Sequence, residues 1–201
     1  AGQRALERSA HFDANAHAER GLSLLDAVAD EQDRGRREIR LQNTLGAAVT
    51  QTRGYAAPEA GRAFRRALEL CEALHDTDEI FTVLFFIEAF HLLRAEFTEA
   101  WDYAKRFYDL GKRLGDPALE VAGLHLMALT PLFRGQLHVA KGYAEALWEI
   151  HERAKPPSTS ARFGEESHVS GRCILAYAHY IHGYLSWSQK IGQGFKVYST
   201  D

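Results

Sequence analysis

Three groups of side chains in this sequence have the types and spacing to do chemistry. Glu88 and His91 interrupt an otherwise apolar run, Ile80 to Leu93, at positions i and i+3. That spacing places a carboxylate and an imidazole side by side on a helix face, as a general acid–base pair requires. His125 interrupts a second apolar run and would complete a pocket with them if the chain closed around it. His179 and His182 repeat the i, i+3 spacing with two imidazoles, which is half of a tetrahedral metal site. Each group also has a plainer reading. No carboxylate stands in register to complete the metal site, and His182 occupies the helix-closing place that arginine takes elsewhere in the chain. Glu88 and His91 read as a buried polar contact satisfied by a neighbouring helix. The stronger signatures are absent: no G-x-x-x-x-G-K-[ST], no H-E-x-x-H, no C-x-x-C and no G-x-S-x-G. The expectation is a chain with no catalytic residue, no metal and no cofactor.

What would position these side chains is a repeat. Leu70, Leu74 and Asp76 return at Leu110, Leu114 and Asp116, and Ala60 returns at Ala100 and Ala140, each step being forty residues. In phase with them runs a basic residue followed by a small one: Arg53-Gly54, Arg94-Ala95, Arg134-Gly135 and His182-Gly183. The last step is longer by eight residues, the length of the tract Pro156 to Phe163. A fixed period of this size marks a stack of helix pairs in which each unit buries its apolar face against its neighbours. The predicted fold is all-α, a right-handed α-solenoid of about ten antiparallel helices. It spans residues 1–184, and 185–201 form a closing helix or a frayed tail, weakened by Gly192 and Gly194.

The helices ending at residues 53, 94, 134 and 182 are termed A helices, and their successors B helices. The A helices are apolar almost all round, as an inner layer must be, whereas the B helices carry a charged face. Leu114 is assigned to the buried side of its B helix. The tract 156–163 reads as a surface insertion whose removal leaves the core intact.

Composition narrows the partners. A hydrophobic content of 46% supports a substantial core, and a net charge of −3 with no basic stripe argues against nucleic acid or an anionic membrane. The most apolar stretch, Ile80 to Leu93, is too short to span a bilayer. Cys71 and Cys173 lie in apolar runs, and two buried thiols suit a reducing, cytoplasmic compartment. The absence of an initiating Met suggests a chain processed or excised from a longer one.

The tracts R-G-Y-A-A-P-E (53–59), R-A-L-E-L-C (66–71) and R-L-G-D-P-A (113–118) resemble the tetratricopeptide-type arm of large bacterial signalling proteins. In those proteins the repeats follow a STAND-type ATPase joined to a class III cyclase or a DNA-binding module. The resemblance covers residues 1 to about 184 and implies a longer variety of the standard repeat. It implies a non-catalytic sensor or scaffold arm that binds proteins or regulates its own ATPase. The expected partner is a protein or peptide segment, including upstream domains of its own parent, and a second copy, as a homodimer, is a further candidate. Counting each A helix back by the tetratricopeptide pattern places Phe85, Leu92, His125, Leu129, Tyr177 and Tyr180 on a concave, mostly apolar wall. Such a wall suits an amphipathic helix. The alternatives are a structural dimerisation arm and an enzyme fragment with a pocket around Glu88, His91 and His125.

Overall fold

The computed structural model describes residues 11–75 and 77–181, and all regular structure among them is helical. Helix α1 is His11–Ser23, followed by a 3₁₀ turn at Leu25–Ala27 and by α2, Glu31–Arg53. Then come α3 (Pro58–Leu74), α4 (Thr77–Leu93), α5 (Phe97–Leu114) and α6 (Pro117–Phe133). Last are α7 (Leu137–Ala154), the single turn α8 (Ser160–Phe163) and α9 (Ser167–Ile181). Within each compact part of the chain, short connections make successive helices antiparallel neighbours. The A helices of the sequence are α2, α4, α6 and α9, and the B helices are α3, α5 and α7. Expectations resting on Asp76, on the His182-Gly183 pair and on residues 185–201 lie outside the described residues.

The basic-then-small mark has a backbone cause. Gly54, Ala95 and Gly135, which end three A helices, all lie at positive φ, at 93°, 60° and 73°. Glycine, with no Cβ, takes positive φ without steric cost, and Ala95 takes it with the smallest side chain that has one. At two of these ends a 6→1 bond closes the turn, from Glu96 N to His91 O (3.0 Å) and from Gln136 N to Pro131 O (2.8 Å). The B helices end the same way at His75, Gly115 and Lys155, with φ of 52°, 64° and 44°. Those three residues also recur every forty positions, but they share no side-chain type and so leave no mark in the sequence. At the starts, Asp30 and Asp116 cap α2 and α6, and Pro58 and Pro117 open α3 and α6.

The chain divides into two compact units, Ala1–Ala100 and Trp101–Asp201. In the first, α3 buries Ala60, Ala63, Phe64, Ala67 and Cys71, one stripe of an amphipathic helix. Its Arg62, Arg65, Arg66 and Glu69 face water. Phe64 stacks on Phe86 of α4 at 5.3 Å, and Phe85 meets Phe86 edge-on at 5.6 Å. Gly46 and Gly61 let these rings in: a Cβ there would lie 2.5 Å from Phe64 and 2.4 Å from Phe90.

In the second unit α7 packs on α6 and α9. Ala128 of α6, Ala140 and Ala144 of α7, and Ile174 and Leu175 of α9 form one buried cluster. Ala140 is fully buried there, so its recurrence reports a tight crossing. Ala140→Leu is expected to overpack it and cost about 1–3 kcal/mol. Urea unfolding that matches the wild type would remove Ala140 from the interface.

Two expectations need correcting. Leu114 is 60% exposed, because α5 ends there and its side chain passes beyond the packed face. The tract 156–163 is not a surface insertion. Phe163 is only 2% exposed and meets Phe107 of α5 edge-on, with ring centroids 5.6 Å apart. Thr159 is buried too: its hydroxyl donates to Glu165 O (2.9 Å) and accepts from Ser167 N (3.1 Å) at the start of α9. The extra residues form a strap with its own anchor in the core.

Candidate functional site

Helix α9 has a buried side and an open side. Gly171, Ile174, Leu175 and Ala178 face the other helices of the unit, following i, i+3, i+4, i+7 spacing. At Gly171 the approach is close, since a Cβ would lie 2.8 Å from Leu147 Cδ1 of α7. The opposite side carries Cys173, Tyr177 and Tyr180, all exposed. The tyrosines are 51% and 58% exposed and are joined by Ile181 at 50%. Two aromatic rings and an isoleucine held open at the end of one helix form a surface that a partner could cover.

The other expected wall residues fall elsewhere. Leu129 is half-buried and packs on the Ala128–Ile174 cluster. Phe85, Leu92 and His125 are buried, which corrects their assignment to an accessible lining. The cause lies in the sequence of α4 and α6: both are apolar on nearly every side, so no polar stripe marks which face is open. Phe85 and Leu92 are packing residues of the first unit. His125 is enclosed in the second, where its Nε2 lies 2.9 Å from Glu165 Oε1.

The candidate acid–base groups lie in the interior and in the last turn of α4. Glu88 is fully buried. His91 Nδ1 lies 2.7 Å from Glu96 Oε2, and Arg94 Nε donates to Glu96 Oε1 at 2.8 Å. Arg94 holds the Glu96 carboxyl below its ordinary range, with His91 assisting against the cost of burial. The three together tie the end of α4 to the start of α5. Of the two histidines read as metal ligands, His179 lies on α9 and His182 lies outside the described residues. No group of three or more His, Cys, Asp or Glu among the described residues is arranged to hold a metal.

A signal the sequence did not disclose is that Cys173 is exposed while Cys71 is buried, which corrects the expectation of two buried thiols. Cys173 precedes Tyr177 by one helical turn, so it shares the open face. The first unit holds a cleft of about 360 Å³ between α1, α2 and α3, floored by Leu45, Val49 and Ala63. Two of its arginines are already engaged, Arg53 with Glu59 (3.1 Å) and Arg66 with Glu38 (2.7 Å), which leaves the α9 face as the better-defined surface.

Crystal structures of nearly identical TPR-like repeats from a Podosopora anserina kinesin-light-chain-like protein superpose on the chain. One gives a TM-score of 0.72 and the other 0.71, each at 12% identity and covering 98% of this chain and 90% of that one. The chain has the fold of a TPR-like helical repeat. At that identity the likeness speaks to the fold alone. No family model matches the chain, and no curated protein matches it. Among the described residues no helix of this repeat is long and apolar enough to cross a membrane.

Proposed function

We propose that this TPR-like repeat is a non-catalytic protein-interaction module, and that the open face of α9 takes part in binding. The observation that carries the reading is the exposure of Tyr177 and Tyr180 one turn apart on an A helix. Tyrosine brings a large apolar ring with a polar tip and little side-chain entropy to lose, which is why it is enriched at binding hot spots. An apolar helix face engages a complementary apolar one, so the partner is read as an amphipathic helix of another protein or of a second copy. The forty-residue period and the tracts at 53–59, 66–71 and 113–118 support a further reading. In it the repeat is the arm of a cytoplasmic, multidomain bacterial signalling protein and binds that protein's own upstream domains or a peptide segment.

Tyr177→Ala and Tyr180→Ala are expected to weaken association by about 2 kcal/mol each, with melting unchanged because both side chains are half out in solvent. Lys105→Ala, on the solvent face of α5, is expected to do nothing. The check is sedimentation of the chain alone together with pull-down by the immobilised variants. Loss of association on Lys105→Ala with none on the tyrosine variants would move the working surface to the B helices.

A further inference from the structure

The joint between α7 and α9 holds a column of rings that neither the fold nor the binding surface requires. Arg172 of α9 lies over Trp148 of α7, with its guanidinium carbon 4.5 Å from the ring centroid. Trp148 stacks on His151, one helical turn later, at 5.4 Å. His151 stacks on His168, in the first turn of α9, with centroids 4.1 Å apart and planes within 8° of parallel. Beyond His168 is Glu166, whose Oε2 lies 3.4 Å from His168 Nδ1. Glu166 also accepts a hydrogen bond from Ser158, which ties the strap between the two helices to the column.

Parallel imidazoles at this separation are compatible only while at most one is charged. Two imidazolium ions a ring-stack apart repel, and both rings are largely enclosed, so water screens them poorly. We propose that the His151–His168 stack is an acid-sensitive latch, which holds the start of α9 and the strap 155–166 to the end of α7 at neutral pH and releases them on acidification.

The charged groups around the column come from every side of the joint. Glu152 of α7 and Glu166 of the strap favour a proton on the rings, and Arg172 of α9 opposes it. His125 of α6 is engaged with Glu165, the residue before Glu166. Burial is the largest influence on both histidines and holds each below the ordinary imidazole value; at His168 the facing His151 adds to it. A histidine depressed in the folded state binds fewer protons there than in the unfolded chain. The latch is therefore fully closed above the ordinary value of about 6.5. Its stability is lost as pH falls from there through the lowered folded values.

The test compares the wild type with His151→Gln and His168→Gln, whose amides never carry charge, by urea unfolding at neutral and mildly acidic pH. The expected result is a wild-type midpoint that falls on acidification, with much of that fall absent in either variant. Equal falls in all three proteins would overturn the latch. Should the variants fold poorly, the wild type alone decides by NMR. Two imidazoles titrating below the ordinary value, together with faster amide exchange in the first turn of α9 as they charge, is the supporting outcome. Titration of both at or above it, or exchange in α9 that ignores pH, is the contrary one.

Discussion

Phe163→Ala should be among the most destabilising single truncations in the second unit, at about 3–5 kcal/mol. The ring is 2% exposed and packs edge-on against the fully buried Phe107. Its removal leaves a cavity whose walls are helices that cannot close in. The strap gains most of its apolar burial from that anchor, and Ser158 and Thr159 add hydrogen bonds to Glu166, Glu165 and Ser167. Deletion of residues 156–163 should be worse than the point change, since it removes the ring and the Thr159 contacts at the start of α9 together. Thermal melts and urea titrations decide the matter. A deletion variant as stable as the wild type would mean that the strap is dispensable and that Phe107 finds another partner.

Gly123→Leu should be comparably severe, at about 3 kcal/mol. A Cβ at residue 123 would lie 2.7 Å from Tyr108 Cα and 2.9 Å from Tyr108 Cβ. The obstacle is largely the backbone of α5, which cannot rotate aside as a side chain tip can. Helices α5 and α6 would have to separate, and the contact of Gly111 with Leu119 along the same crossing would open with them. Gly142 provides the control. It lies on an exposed face of α7, where an added Cβ meets nothing within 4 Å. Gly142→Ala should therefore stabilise, by about 1 kcal/mol of helix propensity. Opposite signs for two glycine substitutions in neighbouring helices would report the crossing directly, and a neutral Gly123→Leu would refute it.

The repeat was legible because its strongest constraints fall on residue type. Three A helices end on a small residue at positive φ, so Gly54, Ala95 and Gly135 announce the period, while His75 and Lys155 also take positive φ without announcing it. Tight crossings admit alanine, so Ala60, Ala100 and Ala140, all fully buried, carry the same register. The open surface was harder to read. On α9 the buried stripe of Ile174, Leu175 and Ala178 is interrupted enough to fix a phase, and the count that placed Tyr177 and Tyr180 together puts them on an exposed side. On α4 and α6 nearly every side chain is apolar, so the same count reached Phe85, Leu92 and His125, which are interior. The strap misled for a different reason: Pro-Pro-Ser-Thr-Ser is loop chemistry, and only the final Phe163 hinted at an anchor. The His151–His168 stack joins two helices across that strap, a pairing that no local spacing in the sequence encodes.

The most direct measurement of the central claim is site-specific photocrosslinking, with a photoreactive phenylalanine analogue placed at residue 177, 180, 66 or 105 of the chain expressed in its own cells. The account predicts discrete protein adducts from positions 177 and 180, identified by mass as another protein or as a second copy of this chain. It predicts none from position 66 on α3 or position 105 on α5, whose native side chains face solvent. Adducts from 66 or 105, with none from 177 and 180, would contradict it and assign the working surface to the B helices.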